Sequence, residues 1–308
     1  MGLIPGIGTN GFVGTSPSYG KYRILVSNYK IWVSSNYGIT WTASYYRSSG
    51  FNNTALAFIS DTGQYMMVFA VSGGGLYWSS NYGGSFTNVD ASASTAAMSR
   101  TGQYVYKTVG SNFYKSTDYG GTWSSAVALG VTPSIMGCSG NGAIIELPVN
   151  GTYNHIRSAN YGVSWGSAGF AAFYQYALAM SNTGQYALSS GKPNSYTIPE
   201  VSSDYGINFS STSGIGSVAS RGIVSETGQY MLVGGYNNIY KSINYGVTWT
   251  PVAIVGSWNN VSMSNTGQYQ VATTTTGMIA QSSDYGATWT LAFEDHIWLG
   301  YSSSFIVV

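Results

Sequence analysis

Apolar residues in this chain fall in short alternating runs, and each run is cut by glycine or by small polar residues. The last repeat shows this most clearly. Val261–Ser264 is followed by the turn Asn265-Thr266-Gly267, then by Gln268–Thr273 and Gly277–Ser283. The turn Asp284-Tyr285-Gly286 comes next, and Thr288–Phe293 closes the unit. Period-two alternation over short stretches, bounded by turn residues, predicts four antiparallel strands in about 40 residues. No stretch holds a helical period long enough to matter.

Two punctuation marks recur in every unit. The first is Ser-x-Asn/Asp-Tyr-Gly-x-Thr/Ser/Asn-Trp/Phe, found seven times, at Ser34–Trp41, Ser79–Phe86, Ser116–Trp123, Ser158–Trp165, Ser202–Phe209, Ser242–Trp249 and Ser282–Trp289. Its third position is Asn36, Asn81, Asp118, Asn160, Asp204, Asn244 and Asp284, and successive copies lie 37 to 45 residues apart. The second is Ser-x-Thr-Gly-Gln-Tyr, beginning at Ser60, Ser99, Ser181, Ser225 and Ser264, with worn copies at Ser16–Tyr22 and Ser139–Ala143. Glycine supplies positive φ in such turns, and an Asn or Asp oxygen can accept from its own backbone. Because Asn accepts as well as Asp, the mixed usage points to turn closure and away from catalysis or metal binding.

Four strands per repeat, seven times over, predict an all-β seven-bladed β-propeller of four-stranded antiparallel blades. Residues 1–15 read as a lead segment, 16–293 as the seven repeats and 294–308 as ring-closing strands of the same domain. Phe12–Ser16 also reads as an inner strand, and the first blade has room for only one of the two; pairing of the C-terminal tail there is the favoured closure and the reverse arrangement the alternative, either of which removes exposed strand edges.

Composition narrows the partners. Only 7% of the 308 residues are charged and the formal net charge is +1, so the dense basic surface that nucleic acid or an anionic membrane requires is missing. At 44% hydrophobic and 15% aromatic the chain is expected to fold. Neither a run of about 18 apolar residues nor a signal-peptide pattern at Met1–Gly6 is present, so no membrane insertion and no cleaved signal are expected. The single cysteine, Cys138, reads as a structural thiol. No cofactor or metal spacing stands out around the isolated His155 and His296. This Ser-, Thr-, Asn- and Gly-rich surface favours an extracellular or virion setting.

In an up-and-down blade the first and third turns share one face, so both motifs lie together. The opposite face receives the variable loops, where function usually sits. Candidate ligand-binding residues there are Tyr45, Tyr46, Arg47, Tyr153, His155, Phe173, Tyr174, Tyr196, Tyr236, Trp258 and His296. Tyr and Trp among Asn and Ser can stack on a sugar or anchor a protein. For each ring taken singly, covering a loop core is an equally simple role.

The motif Ser-x-Asp-x-Gly-x-Thr-Trp resembles the Asp-box, or bacterial neuraminidase repeat. The resemblance runs through residues 34–289. Boxes of this kind occur in sialidases, xyloglucanases, the sortilin ectodomain and photosystem II assembly-factor-like propellers, where they close the hairpin between a blade's third and fourth strands. The pairing with Ser-x-Thr-Gly-Gln-Tyr is also similar to repeat proteins of large DNA viruses. The sialidase resemblance implies an arginine cluster and a Tyr-Glu pair. Of the arginines, Arg23 follows Tyr22 in a segment resembling that family's Tyr-Arg-Ile-Pro, but Leu25 replaces the proline. Ordinary glycosidases need two carboxylates about 5–10 Å apart. Asp90, Glu146, Glu200, Glu294 and Asp295 are the acids outside the two motifs. The expectation is a non-catalytic propeller binding a glycan or protein through its loop face. A glycoside hydrolase, sialidase-like or of the carboxylate-pair type, and a purely structural or assembly-factor propeller are the alternatives.

Overall fold

The computed structural model describes residues 21–26, 29–36, 40–48, 51, 56–70, 75–149, 154–169, 175–191, 198–215, 221–235, 237–254, 256–274, 278–293 and 304–307. They form seven four-stranded antiparallel sheets. Blade 1 holds Arg23–Val26, Lys30–Ser34 and Thr42–Tyr46, with Ser304–Val307 paired antiparallel to Arg23–Val26 at its other edge. That C-terminal strand lies against Leu56–Ile59 and Trp258–Met263, the first strands of the two neighbouring blades, so the ring is joined by both chain ends.

Blades 2 and 3 follow as Leu56–Ile59, Met66–Ala70, Gly75–Ser79, Thr87–Asp90 and Thr95–Met98, Val105–Val109, Asn112–Ser116, Val127–Ala128. Blade 4 is Gly137–Cys138, Ile145–Pro148, Asn154–Ser158 and Gly166–Gly169. Blade 5 is Gln175–Met180, Ala187–Gly191, Glu200–Ser202 and Ser210–Ser211. Blade 6 is Gly222–Val224, Met231–Gly234, Ile239–Ser242 and Thr250–Pro251. Blade 7 is Trp258–Met263, Gln270–Thr274, Met278–Ser282 and Thr290–Phe293. The first strand of blade 7 thus starts three residues before the sequence pattern places it. A register shift between Trp258 and Asn260 absorbs one extra residue, Asn259, and Trp258 tucks into the apolar cluster between blades 6 and 7.

Apolar side chains gather between blades, one cluster per seam. Ile24, Val33, Ala57 and Met66 fill the seam of blades 1 and 2. Met67, Trp78, Ala96 and Val105 fill the next. Ala97, Tyr106, Ile145 and Leu147 join blades 3 and 4, and Leu25, Val271 and Ile279 join blade 7 to blade 1. Alternation puts successive residues of a strand on opposite seams, which is why an inner strand such as Met66–Ala70 is buried on both sides and reads as an apolar run.

The two motifs also work between blades. At the Thr-Gly turns a chain of backbone hydrogen bonds runs around the ring. Asp61 N–H donates to Arg100 C=O (2.8 Å), Arg100 N–H to Gly140 C=O (2.8 Å), Asn182 N–H to Glu226 C=O (2.8 Å) and Glu226 N–H to Asn265 C=O (2.7 Å). Outside these bonds, five of the tyrosines that end the turn motifs, one of them in the worn first copy, lie ring to ring against the box tyrosine of the following blade. The pairs are Tyr22–Tyr82 (5.0 Å between centroids), Tyr65–Tyr119 (4.4 Å), Tyr104–Tyr161 (4.7 Å), Tyr186–Tyr245 (4.6 Å) and Tyr230–Tyr285 (4.8 Å). The same ring covers the next blade's turn glycine. A Cβ on Gly102, whose φ is +79°, would stand 2.9 Å from the Tyr65 Cβ. Each tyrosine therefore sits in a slot made of one glycine and one tyrosine of its neighbour.

The box tyrosines hold this position at a cost. Tyr82, Tyr119, Tyr161, Tyr205, Tyr245 and Tyr285 have φ between 58° and 66°, a region that bulky residues rarely enter. Gly110 (φ +58°) separates the backbone and packing contributions, since a Cβ there meets nothing within 4 Å. Gly110→Ala is expected to cost only the left-handed penalty of about 1–2 kcal/mol. Gly102→Ala adds overpacking against Tyr65 and should cost about 1–3 kcal/mol more. Urea unfolding of the two variants measures the difference, and equal midpoints would show that the slot is not tight.

Candidate functional site

The box residues are consumed in closing their own hairpins. In all seven boxes the serine hydroxyl donates to the Asn or Asp Oδ1, at 2.7 to 3.0 Å. The same Oδ1 accepts the backbone N–H four residues on, at 2.8 to 3.0 Å. The remaining atom adapts. Asn36, Asn81, Asn160 and Asn244 donate through Nδ2 to the Thr40, Ser85, Ser164 and Thr248 hydroxyls. Asp118 and Asp284 instead accept from Thr122 and Thr288, and Asp204 from the Asn208 amide. A hydroxyl can play either part, so Asn and Asp interchange. Donation from the Thr122 N–H, then from the Thr122 and Ser116 hydroxyls, holds the Asp118 carboxyl down at about 2.

On the opposite face, blades 1 and 2 carry an aromatic cluster. Tyr46 ends the last strand of blade 1 and is 62% exposed, and Tyr29, which directly precedes the strand Lys30–Ser34, is 50% exposed. Their rings lie 6.4 Å apart at 28°. Next to them the Arg47 N–H donates to Tyr29 C=O (2.8 Å), which ties the two loop ends together. Its guanidinium lies 5.7 Å from the Phe51 centroid and 6.0 Å from that of Tyr77. Tyr45 packs beneath, 5.1 Å from Tyr77.

The first strands surround a cavity of about 260 Å³ whose described wall is mainly apolar, including Leu56, Phe58, Ile135, Leu178 and Ile223. At its Thr-Gly end Arg100 reaches across. Nε and Nη2 donate to both Asp61 oxygens at 3.1 Å, and Nη1 lies 2.9 Å from Glu226 Oε1. Asn265 Nδ2 donates to Asp61 Oδ1 at 2.8 Å. Cys138 is part of the wall, and burial pushes its thiol up to about 12.

Seven sheets, seven hairpins closed by the same serine–Asn/Asp bond and one ring settle the kind of molecule. The chain is a seven-bladed β-propeller. The BNR-Asp box repeat model matches residues 31–43. No curated protein sequence matches the chain. Among solved structures, a functionally unknown protein from Desulfotomaculum acetoxidans DSM 771 superposes with a TM-score of 0.68 at 10% identity, covering 93% of this chain and 99% of that one. YCF48 bound to D1 peptide gives 0.54 at 14% identity, over 78% of this chain and 84% of that one. An ancestral GH74 enzyme gives 0.58 at 16%, over 94% of this chain but only 45% of the enzyme. These likenesses are likenesses of fold.

Within this propeller the sequence candidates separate. Tyr45, Tyr46 and Arg47 come together on the loop face. Trp258 (1% exposed) is sealed in the seam with blade 6, and His155 (2%) is sealed beside Glu146, where strand alternation points it at blade 5. Tyr153, Phe173, Tyr174, Tyr196, Tyr236 and His296 lie outside the described residues, as do Glu294 and Asp295. Asp90 is tied to Lys107 Nζ (2.7 Å) and the Ser92 N–H (2.7 Å).

Sequence reading missed the seam of blades 4 and 5. One position of the second strand, paired in register with the residue before the box serine, is Ile24, Met67, Tyr106, Leu188, Leu232 or Val271 in six blades. In blade 4 it is Glu146, opposite Arg157 and fully buried. Arg157 Nε lies 3.2 Å from Glu146 Oε1, and His155 Nδ1 lies 3.8 Å from Oε2. Burial pushes the Glu146 carboxyl well above its usual range in spite of Arg157, and burial also raises Glu200. Strand alternation turns Glu200 toward this same seam, since its neighbour Val201 packs on Gly246 of blade 6. An alignment of the repeats by register, rather than by motif, is the signal that isolates Glu146.

Burial holds the His155 imidazole down at about 3 against 6.5 when free. Below pH 6.5 the unfolded chain therefore binds a proton that the native one refuses until about pH 3. Stability from this residue is present above pH 6.5 and is lost as pH falls. Replacing His155→Leu should flatten urea midpoints between pH 6.5 and 4.5, removing up to about 1.4 kcal/mol of loss per pH unit. Parallel pH profiles of wild type and variant would show that His155 is not buried in this way.

Proposed function

We propose that this propeller is a recognition module, not a hydrolase, and that it binds a protein partner through the loop face of blades 1 and 2. The exposed Tyr29–Tyr46 pair beside Arg47 carries the reading. Tyr and Arg dominate binding hot spots because they supply large contact area and hydrogen bonds at small entropic cost. Here the backbone bond from Arg47 to Tyr29 already fixes the geometry, so less ordering remains for the moment of binding. The YCF48 fold seen with a D1 peptide supports protein recognition on such a frame. A surface or virion component fits the uncharged, hydroxyl-rich composition.

The carboxylates support a non-catalytic reading. Asp90 is neutralised by Lys107, and Glu146 and Glu200 are both buried in a seam. A glycosidase needs its acid and its second carboxylate on either side of one accessible bond. A glycan is the second reading, because the exposed tyrosines offer a sugar ring a flat platform.

A photo-crosslinking residue at position 46 is expected to give one discrete protein adduct. Tyr46→Ala should weaken binding of the captured partner by about 10-fold or more, near 1.4 kcal/mol, with an unchanged melting temperature. Glycan-array binding lost on Tyr46→Ala, without a protein adduct, would establish the sugar reading. Polysaccharide hydrolysis abolished by Glu146→Gln or Glu200→Gln would overturn both.

A further inference from the structure

The seam of blades 4 and 5 opens, on the Asp-box face, into a groove lined by Arg157, Asn160, Ser164, Trp165, Ser167 and Ile207. Its chemistry differs from that of the other seams. Only Ile144, Met180 and Ala187 are buried in its apolar cluster, where Ile144 replaces the tyrosine that the clean turn motifs supply. Glu146 and His155 occupy places that are apolar in other blades. Arg157 spends its Nε on the Tyr205 carbonyl of blade 5 (2.8 Å) and on Glu146 (3.2 Å). Among the described residues its terminal nitrogens make no hydrogen bond, and its side chain stays 17% exposed at the groove. Lys115 makes the equivalent reach in the preceding seam, to Tyr161 C=O (3.3 Å), but a point charge there leaves no planar pair of donors.

Blade 5 contributes an apolar side chain to the groove: Ile207 is 53% exposed, at the box position filled by glycine or alanine in blades 2, 3 and 7. The nearest acid in the two boxes, Asp204, has both oxygens engaged by Ser202 and Asn208. Box 4 carries Asn160 in its place.

We propose that this groove binds an acidic peptide segment. A Glu or Asp carboxylate lies on the two terminal nitrogens of Arg157, and an adjoining apolar side chain packs on Ile207. A guanidinium presents two parallel donors matched to a carboxylate, and such charge-assisted bonds are the strong ones. With the Glu146 carboxyl driven toward its neutral form by burial, a carboxylate from outside supplies the counter-charge that the interior withholds. The site lies on the opposite face from the Tyr29–Tyr46 pair and does not rest on it.

Fluorescence anisotropy with a labelled Leu-Glu-Leu-Glu-Leu peptide tests this. Binding is expected at 50 mM salt and should weaken at 300 mM. It should fall at least about 10-fold for Arg157→Gln and for Ile207→Asp, and stay unchanged for Lys21→Ala, an exposed cation of blade 1. Ile207 is exposed, so its variant folds as the parent does and adds a repelling carboxylate. Equal binding of Leu-Gln-Leu-Gln-Leu, binding retained in Ile207→Asp, absence of binding, or binding of an oligogalacturonate in preference to the peptide would each overturn the proposal.

Discussion

Everything in this ring depends on how one blade grips the next. A single four-stranded sheet of short strands has no core of its own, so burial is possible only between sheets. The grip has an apolar layer in the middle and a tyrosine slot at the Asp-box face. In the slot, a ring from one blade covers the next blade's turn glycine and stacks on its box tyrosine. Both motifs are then two halves of one joint. The glycine is small because a ring must lie on it, and the box tyrosine accepts a left-handed backbone because the ring contact and the turn fix it there.

The joint is not uniform, and the departures coincide. Between blades 4 and 5 the tyrosine becomes Ile144, and the apolar register positions become Glu146 and His155. Buried ionisable groups weaken a seam relative to packed hydrocarbon. The same substitution leaves Arg157 with one edge turned outward. The aromatic loop cluster sits instead on the apolar seam of blades 1 and 2. The molecule offers two unlike surfaces on one rigid frame.

The repeat made the fold legible. Seven copies of a turn signature at near-constant spacing determine blade number, strand count and the face on which each turn lies. The hydrogen-bonding role of Asn36 through Asp284 follows from the exchange of Asn with Asp, which an acid–base role does not tolerate. Candidate sites were less legible. Trp258 and His155 look like loop residues in the sequence, yet a bulge and a strand register turn them inward. Glu146 was visible as an acid, but its isolation was not. Its opposite number Arg157 and the apolar residues of the other blades stand at the same register only after the strands are paired.

A double-mutant cycle on Tyr65 and Tyr119, using Tyr65→Ala, Tyr119→Ala and the pair, measures the joint itself by urea unfolding. Rings 4.4 Å apart across a blade boundary should couple by about 0.5–1.5 kcal/mol, so that the double variant is less destabilised than the sum of the singles. Strict additivity would contradict the interlocking ring and leave the tyrosines as independent surface residues.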